Sequence, residues 1–444
     1  MHSLCTQVLV SMEEHMEKLF KLREHGTTVQ REIVGGITTF LAMTYILAVN
    51  PGMLSQAGMP AGGVFTATAL SAGIACIIMA LAANLPVALA PGMGLNAFFT
   101  FSVVMGMGCS WQMALTAVFL EGLLFIILSV TNVREAIINA IPINLKKAIA
   151  VGIGLFITLI GLADAGIVSS ETGTIIGFIT IKSGGALLGV IGLVITAILY
   201  VCNVPASLLL GIIISTIIGI PMGVTTVPQG FTAISLPAAP IFCQFDFSQV
   251  LTFKFFMIFF TFLFVDFFDT IGTLVGVATQ AGLADKNGKI PRVKWALTAD
   301  AVGTSVGAML GTSTVTSFVE STAGVAAGGR TGLCAMTTGV LFLISLFLSP
   351  LFLLVPSAAT APALIMVGFF MIKNVVDIDF KDPTEGIPAF VAIIVMPFAY
   401  SIADGIAWGI IAYAVLKLVS RKTKEVPVVT WLLAVIFLLR YIFK

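Results

Sequence analysis

Fourteen long apolar runs, separated by short polar segments, constrain this 444-residue chain more than any other feature. A helix needs roughly 20 apolar residues to cross the hydrocarbon core of a bilayer, and most runs are close to that length. The runs lie at residues 31–54, 62–84, 86–106, 112–130, 146–166, 184–202, 204–222, 250–278, 293–312, 313–333, 334–356, 358–376, 386–401 and 404–420. A shorter run, 428–443, predicts a terminal helix at the membrane interface. The sequence therefore predicts an all-α polytopic membrane protein with 14 transmembrane segments.

The basic residues predict how these spans are oriented. If the N-terminus is cytoplasmic, every Lys and Arg except Lys182 and Lys254 falls on the cytoplasmic side. That asymmetry is what the positive-inside rule requires. Residues 1–30 lack the apolar core of a signal peptide and are expected to form a cytoplasmic tail. The predicted location is the cell (cytoplasmic) membrane.

Composition excludes several classes of function. Charged residues are 10% of the chain, against about 25% in soluble proteins, and the net charge of +1 provides no field that attracts nucleic acid. All three histidines lie before residue 26 and the six cysteines show no metal-ligand spacing, so we expect no metal and no cofactor. The sequence has neither a Walker A motif nor the nucleophile or metal motifs of an enzyme.

The runs divide into two sets of seven, at 31–222 and 250–420, on either side of a polar linker at 223–249. Residues 421–444 add a basic segment and the short terminal helix. Residues 83–99 and 311–327 align weakly at an offset of 228, each with a β-favouring piece followed by small residues. An odd number of spans per half makes the repeats inverted, which is typical of secondary transporters. Two ordinary glycine-containing spans are the alternative interpretation.

The aligned segments carry signals of interrupted helices. Pro86 and Pro91 block regular helix in the third span. In the tenth span, residues 312–318 are rich in Thr, Ser and Val, which favour extended chain. Non-helical backbone at membrane depth is tolerated when it is buried in protein or lines a cavity. We therefore expect short strands in helices three and ten, with two half-helices that begin at one polar pocket.

Ionisable residues within the spans are candidates for function. Asp266 and Asp269 are three apart on the eighth span, so they are expected to share a helix face, and close carboxylates in a low dielectric resist double ionisation. Glu320 and Asn96 lie on the two half-helices and suit a ligand with N–H and C=O groups. Bracing of neighbouring helices, a helix cap and an interhelical hydrogen bond are the corresponding structural interpretations. Glu121 is isolated in mid-span, and no role follows for it from the sequence.

The charges also bear on the class of substrate. Neither broken segment contains a basic residue before Arg330, so the predicted pocket has acceptors and no fixed cation. This favours a small neutral molecule with hydrogen-bond donors. An anion transporter of the same general fold is the less favoured alternative.

Four motifs, "APGMGLNAFF", "FLFVDFFDTIGTL", "GTSTVTSFVESTAGVAAGGRTGL" and "TAPALIMVGFFM", resemble the AzgA-like branch of the nucleobase:cation symporter-2 family. The resemblance covers residues 19–422 and is nearest to bacterial hypoxanthine/guanine permeases. It implies two inverted seven-helix repeats arranged as a UraA-like core domain, with the substrate between helices one, three, eight and ten, and a gate domain of helices five to seven and twelve to fourteen. Members of the wider fold often form dimers, so a homodimer is among the expected assemblies.

The resemblance also implies an activity: uptake of a purine nucleobase coupled to H⁺, with hypoxanthine and guanine favoured and an adenine-preferring permease as the alternative. The substrate-binding residues that it implies are Asn96, Asp269, Glu320, Gly94 and Thr322. The implied proton-coupling residues are Asp266, Asp269 and Glu320.

Overall fold

The computed structural model describes residues 16–130, 142–169, 176–179, 181, 184–283 and 290–442. The helices are α1 Val29–Met43, α2 Ile46–Gln56, α3 Ala61–Ile78, α4 Met93–Ala97, α5 Trp111–Val130, α6 Ile143–Asp164, α7 Gly184–Val201, α8 Ser207–Gly219, α9 Phe253–Gln280, α10 Val293–Leu310, α11 Ser321–Ala326, α12 Gly332–Ser345, α13 Ser349–Leu353, α14 Ser357–Ile372, α15 Pro383–Phe398, α16 Ile402–Val419 and α17 Val428–Ile442. The strands are β1 Leu89–Pro91, β2 Val168–Ser169, β3 Gly177–Phe178 and β4 Val315–Ser317. The predicted all-α class is confirmed, and so are the short strands at both helix breaks.

Each predicted apolar run contains a helix, or a strand followed by a helix. Nine helical segments of the described residues are long and apolar enough to cross a membrane, so the chain is a multi-pass membrane protein, and fourteen crossings stay a prediction. The predicted terminal helix is present as α17, in which the ring of Tyr441 lies 5.0 Å from that of Trp408. Residues 221–252, which include the predicted linker, contain neither helix nor strand.

The two breaks meet in one antiparallel ribbon, because β1 pairs with β4. Ala90 lies opposite Thr316, and two flanking bonds extend the pairing: Gly92 N–H donates to Thr314 O and Phe318 N–H donates to Ala88 O, both at 3.0 Å. Backbone that leaves the helix at this depth satisfies its polar groups by pairing with the other break. The ribbon thereby places the starts of α4 and α11 side by side.

The half-helix after β4 is shorter than the sequence suggests. The run 313–333 reads as one span, but α11 ends at Ala326 and α12 begins only at Gly332. Gly328 adopts φ +111, in the left-handed region that ends helices. The buried carboxylate of Glu32 then accepts the backbone N–H groups of Arg330, Thr331 and Cys334 at 2.7, 3.2 and 3.2 Å, which stabilises the start of α12.

The helices pack into two bodies. One body contains α1, α2, α3, α4, α5, α9, α10, α11 and α12 together with the ribbon, and the other contains α6, α7, α8, α14, α15 and α16. Contacts between the bodies are sparser, and one is a hydrogen bond from Gln56 at the end of α2 to Asp164 at the end of α6, at 3.4 Å. This partition is the core-and-gate arrangement that the family resemblance implies, so we call the two groups the core body and the gate body.

Candidate functional site

The two aspartates of α9 lie in different surroundings. Asp266 is fully buried, with 0% of its surface exposed, whereas Asp269 is half-buried. The three-residue spacing predicts that the two carboxylates share a helix face, but their exposure differs. Asp266 is enclosed by protein, whereas Asp269 is partly exposed. Only the second is arranged as a carboxylate that a ligand could reach.

Asp269, Glu320 and Tyr45 form the candidate pocket. The phenol of Tyr45 donates a 2.8 Å hydrogen bond to Oε1 of Glu320. Asp269 lies close enough to interact electrostatically with both of these residues. Glu320 is half-buried at the start of α11, immediately after the ribbon, and its side chain bonds to Tyr45 rather than capping its own helix. The pocket thus joins the first span, the eighth span and the second half-helix.

Tyr45 is not among the site residues that the sequence predicts. It follows Thr44 in the middle of the first apolar run, where α1 ends and α2 begins. Two adjacent polar side chains in mid-span are a signal of an interior-facing site, and they could have identified this residue. Asn50, one turn further, is also buried and donates to Thr68 and Thr312 at 2.8 and 2.9 Å.

The other predicted binding residues lie at the half-helices. Asn96 is fully buried in α4; its Oδ1 accepts a hydrogen bond from Ser313, and its Nδ2 contacts the carbonyl of Pro91 at 3.4 Å. Gly94 is half-buried in the same helix, and an added Cβ would come 2.8 Å from Ile153 of the gate body. The hydroxyl of Thr322 donates to its own helix at Val319 O.

A network of hydroxyl groups surrounds Asp266. The hydroxyl of Thr270 lies 3.4 Å from Oδ1 of Asp266, 3.1 Å from both oxygens of Asp300 and 2.8 Å from the hydroxyl of Thr316. Asp300 therefore accepts a hydrogen bond from a threonine of the neighbouring helix. This network connects α9 and α10 to strand β4, and it lies on the buried side of α9.

Chemically, the pocket is a set of acceptors on a rigid frame. Carboxylates that keep an open side accept hydrogen bonds from ligand N–H groups, and bonds to ionised groups are about twice as strong as neutral ones. Arg330, the basic residue after α11, is turned away from such a role, because its guanidinium donates to the carbonyls of Val325 and Gly329. The described site accordingly suits a neutral molecule with donors better than an anion.

Two packed helical bodies, with strand-interrupted helices and buried carboxylates at the interruption, define a membrane transporter. A protein-family model described as "Permease family" matches residues 30–408. The chain therefore belongs to this permease family, and its resemblance to nucleobase:cation symporter-2 proteins is confirmed.

Three curated relatives match almost the whole chain. A putative permease of Methanocaldococcus jannaschii is 47% identical over 428 residues, covering 96% of this chain and 98% of the relative. The guanine/hypoxanthine permease PbuG of Bacillus subtilis is 47% identical over 439 residues, covering 96% and 100%. The adenine permease AdeP of Escherichia coli is 42% identical over 428 residues, covering 96% of each.

Solved structures share the fold. The transmembrane domain of the cyanobacterial bicarbonate transporter BicA superposes with a TM-score of 0.64 at 17% identity, covering 85% of this chain and 97% of that chain. The murine anion transporter Slc26a9 in its inward-facing state gives a TM-score of 0.59 at 14% identity, covering 88% and 68%. At these identities the likeness supports the fold alone.

Proposed function

We propose that this permease takes up purine nucleobases across the cytoplasmic membrane together with H⁺, and that hypoxanthine and guanine are its favoured substrates. The observation that carries the proposal is the group of Asp269, Glu320 and Tyr45, in which two half-buried carboxylates lie close enough to interact. The N–H groups of a neutral purine match such acceptors. The names of relatives such as PbuG support the choice of substrate.

In the proposed complex, the flat base lies between the starts of the two half-helices. Asp269 and Glu320 accept its N–H groups, and Tyr45 holds Glu320 in the orientation that this needs. Gly94 and Thr322 line the remaining edge, where backbone groups match ring nitrogen and carbonyl acceptors. Asn96, predicted as a binding residue, is fully buried and bonded to Ser313 and Pro91, so in the proposed complex it supports the start of α4 from behind the base. An uncharged base avoids the desolvation cost that a charged substrate would incur at this depth.

Proton coupling follows from the same carboxylates. We assign this step to Asp266, Asp269 and Glu320. Carboxylates that lie close together away from water resist simultaneous ionisation, so one of them readily takes up a proton from the outer side. The protonated, purine-loaded core body then moves against the gate body and releases both to the cytoplasm. Adenine is the second candidate substrate, favoured by the 42% identity to AdeP.

Uptake of labelled hypoxanthine into cells tests the proposal. We expect Asp269→Asn and Glu320→Gln each to reduce uptake to background while the protein still reaches the membrane, because an amide replaces an acceptor by a donor in the pocket. Glu24→Gln, an exposed residue paired with Lys21, should leave uptake unchanged. A proton uncoupler should abolish accumulation in the wild type. Full uptake by both pocket variants would refute the assignment.

Competition by unlabelled bases identifies the preferred purine. If the proposal is right, guanine and hypoxanthine compete more strongly than adenine, xanthine and uracil. Stronger competition by adenine would select the second candidate. If none of these bases competes, the proposal of purine transport is refuted.

A further inference from the structure

Glu121 is a buried acid for which the transport pocket has no use. It lies in the middle of α5, on a core helix that packs against α9 and α10, and 0% of its surface is exposed. Its Oε2 accepts a hydrogen bond from the hydroxyl of Thr314 at 3.0 Å. Its Oε1 has no conventional donor among the described residues, although it is completely buried. A buried acceptor left in this state is costly, so a group that supplies a donor is expected there.

The side chain that faces it is Asp266. The two carboxyl groups lie within hydrogen-bonding reach of each other. Oδ2 of Asp266 is the second carboxylate oxygen in the described structure that is buried without a donor. Two ionised carboxylates have no hydrogen between them, whereas one proton satisfies both groups as O–H···O⁻.

We propose that Glu121 and Asp266 together bind one proton, at a site inside the core body that is separate from the purine pocket. The proton is covalently bound to one carboxyl oxygen and donated to the other. When it leaves, the O–H bond breaks, the proton passes to water, and two carboxylates remain in contact.

The surrounding charges make the proton-free state unfavourable. Asp300 on α10 acts on Glu121, and Asp269, three residues along α9, acts on Asp266. The cations on these helices, Lys254 and Lys294, are exposed, and Lys254 donates to Met107 O at 2.7 Å. Strand β4 contributes hydroxyl groups only. Negative charge around the pair therefore favours binding of a proton.

The pair is connected to the ribbon through both of its members. Oε2 of Glu121 accepts the hydroxyl of Thr314, and Asp266 is linked to Thr316 through the hydroxyl of Thr270, which lies 3.4 Å from Oδ1 of Asp266 and 2.8 Å from the hydroxyl of Thr316. The two carboxyls are thereby connected to alternate residues of one segment. The carbonyl of Thr314 accepts the N–H of Gly92, directly before α4. Repulsion between two carboxylates would spread α5 from α9 and pull on this segment. Occupancy of the proton site is thereby transmitted to the half-helices that form the pocket.

Because Glu121 does not contact the pocket, its substitution should affect proton-driven accumulation of purine and not purine exchange. This expectation rests on the proposed purine transport. Glu121→Gln places a neutral donor beside Asp266 and imitates the proton-bound pair permanently. In proteoliposomes with purine on both sides, we expect exchange within about threefold of wild type. We also expect accumulation driven by a pH gradient to be lost, and purine binding to lose its dependence on pH.

Wild-type accumulation by Glu121→Gln would overturn the inference while leaving purine transport intact. Loss of exchange in a folded Glu121→Gln protein would also overturn it, because the amide preserves the hydrogen bond. Glu24→Gln is the matched control and should accumulate purine normally. Folding is checked by size-exclusion chromatography.

A second measurement does not involve transport, so it tests the shared proton even if the protein does not transport purine. Infrared spectra of the purified protein should contain a carboxylic-acid C=O band at neutral pH that weakens in Glu121→Gln. If Glu121→Gln does not fold, Asp266→Asn replaces it in this comparison, and the same band must weaken. A band that is equally strong in wild type and variant would refute the shared proton.

Discussion

At the scale of single residues, the hydroxyl of Tyr45 determines how one of the pocket carboxylates is presented. It donates to Oε1 of Glu320 at 2.8 Å and so fixes the orientation of this carboxylate. The phenol ring is 1% exposed, which fixes it in place. A donor that is already ordered before the ligand arrives reduces the entropy cost of binding.

Tyr45→Phe removes this donor and keeps the ring. A hydrogen bond to a charged group contributes about 1.5–3 kcal/mol, so we expect the KM for purine uptake to rise by roughly tenfold or more. Uptake kinetics in cells, together with binding to the purified protein, measure the effect. Tyr200→Phe is the matched control, because the hydroxyl of Tyr200 accepts a hydrogen bond from the exposed Lys373 at 3.2 Å, far along the chain from Glu320. Equal KM values for Tyr45→Phe and wild type would contradict this role.

Among the site residues, the sequence predicted acids and missed their partners. Asp266, Asp269 and Glu320 were recognisable because an acid in an apolar run is unusual in any context. Tyr45 and the pairing of Glu121 with Asp266 depend on contacts between spans far apart in the chain. A single sequence contains no distance between them, so these contacts became visible only in the fold.

At the scale of elements, the ribbon of β1 and β4 is held by close packing at its end. A Cβ added at Gly92 would lie 2.4 Å from Cγ2 of Thr316, so the backbone of one segment touches the side chain of the other. Thr316 also belongs to the hydroxyl network around Asp266 through Thr270. Glycine is needed here because the two strands approach too closely for any side chain.

Gly92→Ala therefore displaces β4 and changes the relative position of the half-helices. Overpacking of this kind costs about 1–3 kcal/mol. We expect a lower melting temperature and a transport rate that falls by at least tenfold, since the pocket is built on this ribbon. Gly185→Ala adds the same methyl group 3.9 Å from the carbonyl oxygen of Ala165, an ordinary van der Waals contact, and it should preserve both properties. Normal uptake by Gly92→Ala would show that the ribbon tolerates displacement.

The elements themselves were largely predictable. Apolar length located a helical unit at every run, and proline with β-favouring residues located both strands. The sequence did not predict the six-residue length of α11, which depends on the left-handed backbone of Gly328 and on the long-range contacts of Glu32. It also did not predict the division between α1 and α2 at Tyr45. Local patterns determine element type, whereas tertiary contacts determine where elements end.

At the scale of the whole molecule, the residues of the proposed pocket, Tyr45, Asp269 and Glu320, all belong to the core body, which meets the gate body along a sparser interface. Gly94 of α4 faces Ile153 of α6 across this interface, and Gln56 bonds Asp164 near the ends of their helices. Alternating access requires these contacts to break while those inside each body persist. The homodimer and the cytoplasmic N-terminus stay predictions.

A reversible crosslink between the bodies tests this motion. In a background without the native cysteines, Gln56→Cys and Asp164→Cys are joined by a short bis-methanethiosulfonate, which forms a disulfide with each thiol and releases sulfinate. We expect transport to stop and to return after reduction, while purine binding from the accessible side continues, because the pocket residues are untouched.

Asp382→Cys with Lys422→Cys is the matched control, since this pair also replaces one polar contact, 2.8 Å long, but lies within the gate body and its C-terminal extension. Crosslinking there should leave transport active. If the Gln56–Asp164 crosslink also left transport active, movement of the core body past the gate body at this end of the helices would be excluded, and purine would have to reach the cytoplasm by local rearrangement around the ribbon.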